Sequence, residues 1–235
     1  MNKKKGLSHV DVIVSLVIFL GFFIFLLIFL RPLTKTEISP VILDIFQEGI
    51  ENFANVNYSY ITVKIDENLQ TDKTCLSVPL TLTNVIVKDE TDTRIDAGST
   101  GNKISFLKSG DFYTIYSSPV FKETSLTGCY DLVETEYSLG FLRESQVLYY
   151  ENLNYLKQQY EQDYNSLKSG FKIPSSNDFA FSVRDTEGNE IISAVKKQPS
   201  KISVIARDIP SQLLYYNVEK VDWEIKYVVL NIQAW

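Results

Sequence analysis

Residues 1–31 decide the fold, and they read MNKKKGLSHVDVIVSLVIFLGFFIFLLIFLR. No charged residue occurs from position 12 to position 30. A helix over these residues would be about 28 Å long, close to the hydrocarbon thickness of a bilayer. The stretch therefore predicts a transmembrane helix over residues 7–31, in contact with membrane lipid through residues 12–30.

Charged residues around this stretch predict its orientation. Lys3, Lys4 and Lys5 precede the apolar run, and basic residues beside a transmembrane helix stay on the cytoplasmic side. Arg31 and Lys35 weaken this bias without reversing it. We therefore expect a single-pass membrane protein with a cytoplasmic N-terminus and an extracellular C-terminal domain. A cleaved secretory signal is disfavoured, because the apolar run exceeds the ~7–15 residues of such signals and no small-residue cleavage site follows it.

The residues before the apolar run resemble a particular class of leader. Gly6 follows the lysines, Leu7 comes next, and a carboxylate, Asp11, stands at the fifth position after the glycine. This pattern resembles the leader of type IV pilins and archaeal pilin-like proteins. The resemblance implies that a prepilin peptidase cuts between Gly6 and Leu7, leaving the apolar helix to form a filament core. It also implies that Asp11, where bacterial pilins carry glutamate, pairs with the new amino group of a neighbouring subunit. An uncleaved signal anchor is the alternative interpretation.

The chain beyond residue 31 first predicts a helix and then several strands. Apolar residues recur at helical spacing over 39–54, and β-branched and aromatic runs follow over 57–140. The tripeptide Ser-Gly-Asp at 109–111 predicts a hairpin turn between two of these strands. The acidic run 89–92 lacks the glycine and the final glutamate of an EF-hand loop. We therefore interpret that run as a solvated turn.

A second helix is predicted from Arg143 to Ser169. Its apolar and aromatic residues are three or four positions apart, and they are Tyr149, Leu153, Leu156, Tyr160, Tyr164, Leu167 and Phe171. Such a seam favours packing on the domain's own sheet or on a neighbouring subunit over stacking with sugars or bases. A hairpin and a C-terminal strand are predicted over 177–235.

Together these patterns predict an α+β fold. An N-terminal transmembrane helix is followed by a β-rich extracellular region with one amphipathic helix after the span and one long tyrosine-seamed helix. The predicted divisions are a basic leader (1–6), the transmembrane helix (7–31), an amphipathic helix and linker (32–56), a β-rich domain (57–140), and a long helix plus sheet (141–235) in the same or a second domain.

Three residues outside the apolar helix are candidates for covalent modification. Cys75 and Cys129 are the only cysteines, and in an oxidising compartment such a pair favours one disulfide over two buried free thiols. Asn57 begins the tripeptide Asn-Tyr-Ser, an N-glycosylation sequon. No metal site is predicted, because the single histidine lies beside the apolar run.

Charge and motif content limit the function. The 235 residues carry 23 basic and 29 acidic side chains, and this net charge of −6 disfavours nucleic acid as a partner. Nucleophile, phosphate-loop and dinucleotide motifs are absent, so we expect neither an enzyme nor a cofactor. The sequence favours a structural subunit of a type IV pilus-like surface filament, with prepilin peptidase and other pilin-like subunits or copies of itself as partners. The alternative is a membrane-anchored surface protein whose ectodomain is a binding or accessory module.

Overall fold

The computed structural model describes residues 9–29, 40–69, 72–195 and 204–235, and within its first helix it describes the side chains from Val12 to Leu26. The chain divides into two compact units, Met1–Ser39 and Pro40–Trp235. The described part of the first unit is the helix α1 (His9–Phe29). The second unit holds the strands and three further helices.

The structure corrects the predicted transmembrane helix. Across the ranges that the structure describes, no helix combines the length and the apolar character needed to cross a membrane. The predicted fold class and the predicted single-pass localisation are therefore corrected: the described residues are β-rich with four helices, and none of these helices is long and apolar enough to cross a membrane.

Fourteen strands form two sheets within the described residues. They are β1 (Asn55–Ile65), β2 (Cys75–Val78), β3 (Val85–Asp89), β4 (Arg94–Ile95), β5 (Ala97–Thr100), β6 (Lys103–Leu107), β7 (Phe112–Ser117), β8 (Tyr130–Asp131), β9 (Tyr137–Leu139), β10 (Arg143–Tyr149), β11 (Phe179–Asp185), β12 (Glu190–Ala194), β13 (Ile205–Asn217) and β14 (Asp222–Ala234). β-branched and aromatic residues dominate most of the longer strands, as expected for segments packed on a pleated surface.

The large sheet has ten strands in the order β12-β11-β14-β13-β10-β1-β7-β3-β4, with β9 also paired to β1. Its neighbours are antiparallel except β10 and β13, which are parallel. Strands from 57–140 and from 141–235 thus lie in one sheet. β1 begins at Asn55, directly after α2 (Pro40–Ala54) ends, so the helix continues into a central strand without a linker.

The small sheet has the order β5-β6-β2-β8 and packs against the large one. Its β2 and β6 supply Leu76, Val78, Ile104 and Phe106 to a core that also contains buried residues of β1, β3 and β7. The predicted hairpin turn at 109–111 is wrong, because β6 belongs to the small sheet and β7 to the large one. The segment is instead a corner in which the Tyr113 hydroxyl accepts from the amides of Ser109 and Gly110 and donates to the Gly110 carbonyl.

The predicted single helix over 143–169 is also wrong. Residues 143–149 form β10, and the helical part divides into α3 (Tyr150–Gln162) and α4 (Tyr164–Gly170). Asp163 separates the two, with φ −140° and ψ 64°, and its carboxylate accepts a hydrogen bond from the Ser166 amide 3.1 Å away. An aspartate in this position caps the new helix and ends the old one.

Helices α2 and α3 pack against the part of the large sheet formed by β10–β14. Phe46 of α2 is fully buried, with its ring centroid 4.3 Å from that of Phe179 and 6.4 Å from that of Phe181. The Tyr160 hydroxyl of α3 donates to the Phe179 carbonyl at 2.8 Å. Leu153, Leu156 and Tyr160 are buried, so the seam packs on the domain's own sheet.

Candidate functional site

Within the described residues we consider two places as candidate functional sites, and the first is α1. Apolar side chains stand exposed along the helix, with exposed fractions from 48% at Leu20 to 66% at Ile18. They are Val12, Ile13, Val14, Leu16, Val17, Ile18, Phe19, Leu20, Phe22, Phe23, Ile24 and Phe25. Because a helix turns once in about 3.6 residues, a run of this kind covers the whole circumference and leaves no polar face.

The predicted processing and assembly residues lie at the beginning of this unit. Gly6 and Leu7 fall outside the residues that the structure describes. Asp11 is part of α1, and its side chain is likewise outside the described part. The structure therefore does not test their predicted roles in processing and assembly.

The second place is a cavity of about 330 Å³ between β1, β3 and β7 on one side and the β13–β14 hairpin on the other. Four strands separate β3 from β14 in the sheet order, so the sheet curls to bring the hairpin over β3 and β7. Alternation along the strands separates two faces. In β3, Val85 and Val87 face the small sheet, whereas Ile86 and Lys88 line the cavity. The other lining residues are Tyr58, Asp92, Tyr116, Phe121, Leu214, Lys220, Trp223, Glu224 and Ile225.

An ion pair closes one side of the cavity. Lys88 is 7% exposed and Asp222 is 9% exposed, and Nζ of the lysine lies 2.7 Å from Oδ2 of the aspartate. Asp92 lies 3.6 Å from the same Nζ and is largely solvated. Burial alone would lower the pKa of Lys88, but the hydrogen bond and charge of Asp222 and the charge of Asp92 outweigh it and raise that pKa. Lys88 is therefore a fixed cation that joins β3 to β14.

A second charged group is held on β14. The carboxylate of Glu224 accepts hydrogen bonds from Lys220 at 2.6 Å, from the Tyr215 hydroxyl, and from the Asn217 amide at 3.2 Å. The bonds from Lys220 and Tyr215 are the main reason that the pKa of Glu224 falls to about 2. The same carboxylate raises the pKa of Lys220. Glu224 is thus ionised and already partnered at neutral pH.

Aromatic rings form the wall between these charges. The Trp223 ring centroid lies 5.2 Å from that of Phe121 and 5.4 Å from that of Tyr216. The Tyr58 and Tyr116 rings stack with their centroids 5.8 Å apart. Burial raises the pKa of both tyrosines, the charge of Asp92 adds to the effect and Lys88 opposes it only partly at Tyr116, so their hydroxyls stay protonated at neutral pH.

Two hydrogen-bond donors in the wall are free. In the described structure neither the Tyr58 hydroxyl nor the Trp223 indole N–H has a hydrogen-bonding partner. The only buried side-chain oxygen or nitrogen without a partner, counting described residues alone, is Oγ of Ser182. The tyrosine and tryptophan donors are therefore not fully buried, and both residues line the cavity. Every resolved pKa shift among the lining residues moves the pKa further from 7, so each of these groups keeps one protonation state at neutral pH. Such groups are better suited to binding a ligand than to transferring a proton.

Comparison of the chain with protein-family models, curated proteins and solved structures found no match.

The remaining candidate residues lie elsewhere in the second unit. Cys75 and Cys129 form a disulfide that holds the start of β2 beside the residue preceding β8. Asn57 is exposed on β1, where its backbone pairs with that of Gln146. The acidic run 89–92 forms a turn, in which Asp89 accepts from the amides of Thr91 and Thr93. Over the described residues, no group of three or more His, Cys, Asp or Glu side chains is placed to hold a metal ion.

Sequence reasoning missed the cavity. Its lining comes from strands separated by up to about 160 residues, and no local pattern shows that they meet. One signal was present, because Lys88 follows the apolar run Val85-Ile86-Val87 within the same short strand, and a lysine that is buried there needs a partner.

Proposed function

We propose that this chain is a structural subunit of a type IV pilus-like filament, assembled through α1. The observation that carries the proposal is the exposure of apolar side chains on all sides of α1 from Val12 to Phe25. Contiguous apolar surface of this kind marks an interaction site, and a helix that is apolar all round is buried in its functional state. The same helix in further copies of the chain offers a surface of matching chemistry.

The energetics of such a bundle are favourable. Each fully buried aliphatic or aromatic side chain contributes about 1.5–3 kcal/mol relative to exposure. α1 carries a dozen large apolar side chains that are about half exposed or more in the described range. Apolar contacts of this sort are non-directional, so a bundle needs a polar contact to fix the axial register of its helices. Asp11 would supply that contact by pairing with the amino group of Leu7 in the next subunit, after cleavage by a prepilin peptidase.

N-terminal sequencing of the protein from its native cells tests this proposal most directly. We expect the mature chain to start at Leu7. Gly6→Ala should block processing, so the variant keeps the mass of the six leader residues. Gly21→Ala is the matched control, because an added Cβ at Gly21 meets no atom within 4 Å, and it should be processed normally.

Electron microscopy of cells that produce the variants distinguishes a defect in processing from a defect in filament assembly. Asp11→Ala should be cleaved yet form few or no filaments, and Asp11→Glu should restore them because it keeps a carboxylate at this position. A mature protein that begins at Met1, or an Asp11→Ala variant that forms filaments like the wild type, would contradict the proposal.

A further inference from the structure

We propose that the cavity between β3, β7 and the β13–β14 hairpin binds a neutral saccharide of one or two sugar units. The proposal concerns the second unit alone and does not depend on filament assembly. Its basis is the combination of an aromatic wall, two unpartnered neutral donors and lysines that are already held in ion pairs.

The size of the cavity limits the ligand. Ligand pockets generally range from about 300 to 1,000 Å³. At about 330 Å³ this cavity stands at the lower end of that range. Such a volume admits a small molecule and excludes a folded protein segment.

The charges of the lining argue against an ionic ligand. Lys88 and Lys220 contribute two positive charges, and Asp92 and Glu224 in the lining together with Asp222 beside it contribute three negative charges. Lys88 is partnered by Asp222, and Glu224 by Lys220, at 2.7 and 2.6 Å. An anion or cation would have to compete with these existing pairs.

The aromatic wall and the free donors specify the ligand further. An aromatic ring carries negative electrostatic potential on its face, and the C–H groups on one side of a pyranose present a weakly positive apolar surface to it. Trp223 and Tyr116 are half-buried aromatic residues in the lining that can supply such a face, and buried Phe121 packs behind Trp223. The Tyr58 hydroxyl and the Trp223 N–H can donate to sugar oxygens, while partly exposed Asp92 can accept from sugar hydroxyls. A polyhydroxylated ring with one apolar side matches each of these groups.

Titration of the full chain tests this assignment. The probes are glucose, galactose, N-acetylglucosamine, maltose, cellobiose and lactose, with glucuronate as a charged comparator and adenosine as a stacking comparator. Isothermal calorimetry measures affinity, and the fluorescence difference between the wild type and Trp223→Phe, in which only Trp235 remains, reports the environment of Trp223. We expect at least one neutral sugar to saturate the site with a Kd on the order of 1 mM or tighter.

Variants locate the binding within the cavity. Tyr58→Phe removes one hydroxyl and keeps the ring, so affinity should fall roughly two- to tenfold, the effect of one hydrogen bond. Trp223→Phe keeps an aromatic ring and should weaken binding by a similar factor. Tyr227→Phe is the matched control, because Tyr227 is 71% exposed on the same strand and outside the cavity, and it should bind like the wild type.

Each contrary result overturns the proposal in a distinct way. Failure of every neutral sugar to saturate excludes the site. Saturation that is unchanged in both Tyr58→Phe and Trp223→Phe places binding elsewhere. Preference for glucuronate or adenosine over all neutral sugars excludes the ligand class. None of these outcomes bears on filament formation, which is scored by microscopy.

Discussion

At the scale of single residues, the Lys88–Asp222 pair is a buried ion pair that links β3 to β14 across the curled large sheet. Both side chains are almost fully buried, and their strands are not neighbours in the sheet. Loss of one partner leaves the other charge buried without compensation, which costs more free energy than the intact pair contributes. The cavity therefore depends on both residues.

Lys88→Ala should lower the free energy of unfolding by about 3 kcal/mol, because Asp222 is left buried and unpaired. Lys103→Ala is the matched control, since Lys103 lies 2.6 Å from Asp131 in a pair whose side chains are 45% and 63% exposed. Its cost should stay below about 1 kcal/mol. Urea unfolding of both variants measures the difference, and equal losses would show that the buried pair has no special role.

The residues that line the cavity show which features of the site can be predicted from the sequence and which cannot. Alternation along β1 and β3 predicts which side chains share a face, and the tripeptide and cysteine patterns are visible in the sequence. The meeting of Tyr58, Lys88 and Trp223 depends on how far the sheet curls. That curl results from twist accumulated over several strands, and no single segment encodes it.

At the scale of elements, the sequence predicted most strands and the helix α2, but it misplaced two junctions. The tripeptide at 109–111 has the composition of a hairpin turn, yet Tyr113 uses its hydroxyl to fix a corner between two sheets. In the sequence, the four-residue spacing of Tyr160 and Tyr164 continues the helical pattern across Asp163, where the first helix ends. Both tyrosine rings pack on the sheet in spite of this break. Tertiary contacts decided both junctions, and such contacts are invisible to local propensity.

The disulfide is the element-scale feature with the clearest consequence for stability. Cys75 and Cys129 are 54 residues apart, and closing a loop of that length is worth about 4 kcal/mol in the chain-entropy model. The double variant Cys75→Ser, Cys129→Ser should therefore unfold with a free energy about 2–4 kcal/mol lower than that of the wild type. Guanidinium unfolding measures this loss.

Reduction of the wild type provides the control. The reduced protein should match the double variant in stability, because both lack the same link between β2 and β8. Hydrogen exchange should rise first at the amides of β8, a strand of two residues at the edge of the small sheet. Coincident unfolding curves for oxidised and reduced protein would show that the bond adds nothing.

At the scale of the whole molecule, the second unit is one body although the sequence leaves open two domains. β1 pairs with β10 over residues 55–60 and 143–148, which joins the earlier strands to the later ones. A chain of residues 40–235 should therefore unfold in one cooperative transition. The separate fragments 40–142 and 143–235 should not fold, because each exposes an unpaired edge of the broken sheet.

Circular dichroism and denaturant titration of these three chains check the expectation. The fragments should show low strand content and no cooperative transition, whereas 40–235 serves as the positive control. Two independent transitions in 40–235, or a fragment as stable as the intact unit, would show that the sheet is not a single cooperative structure.

The direct continuation of α2 into β1 has a mechanical consequence. A pull on the chain before β1 acts along the axis of a strand that is flanked by β10 on one side and β7 on the other. Inter-strand hydrogen bonds run perpendicular to an antiparallel strand. Such a pull therefore shears many bonds at once instead of opening them one at a time, so tension entering from the N-terminal side is resisted by the middle of the sheet.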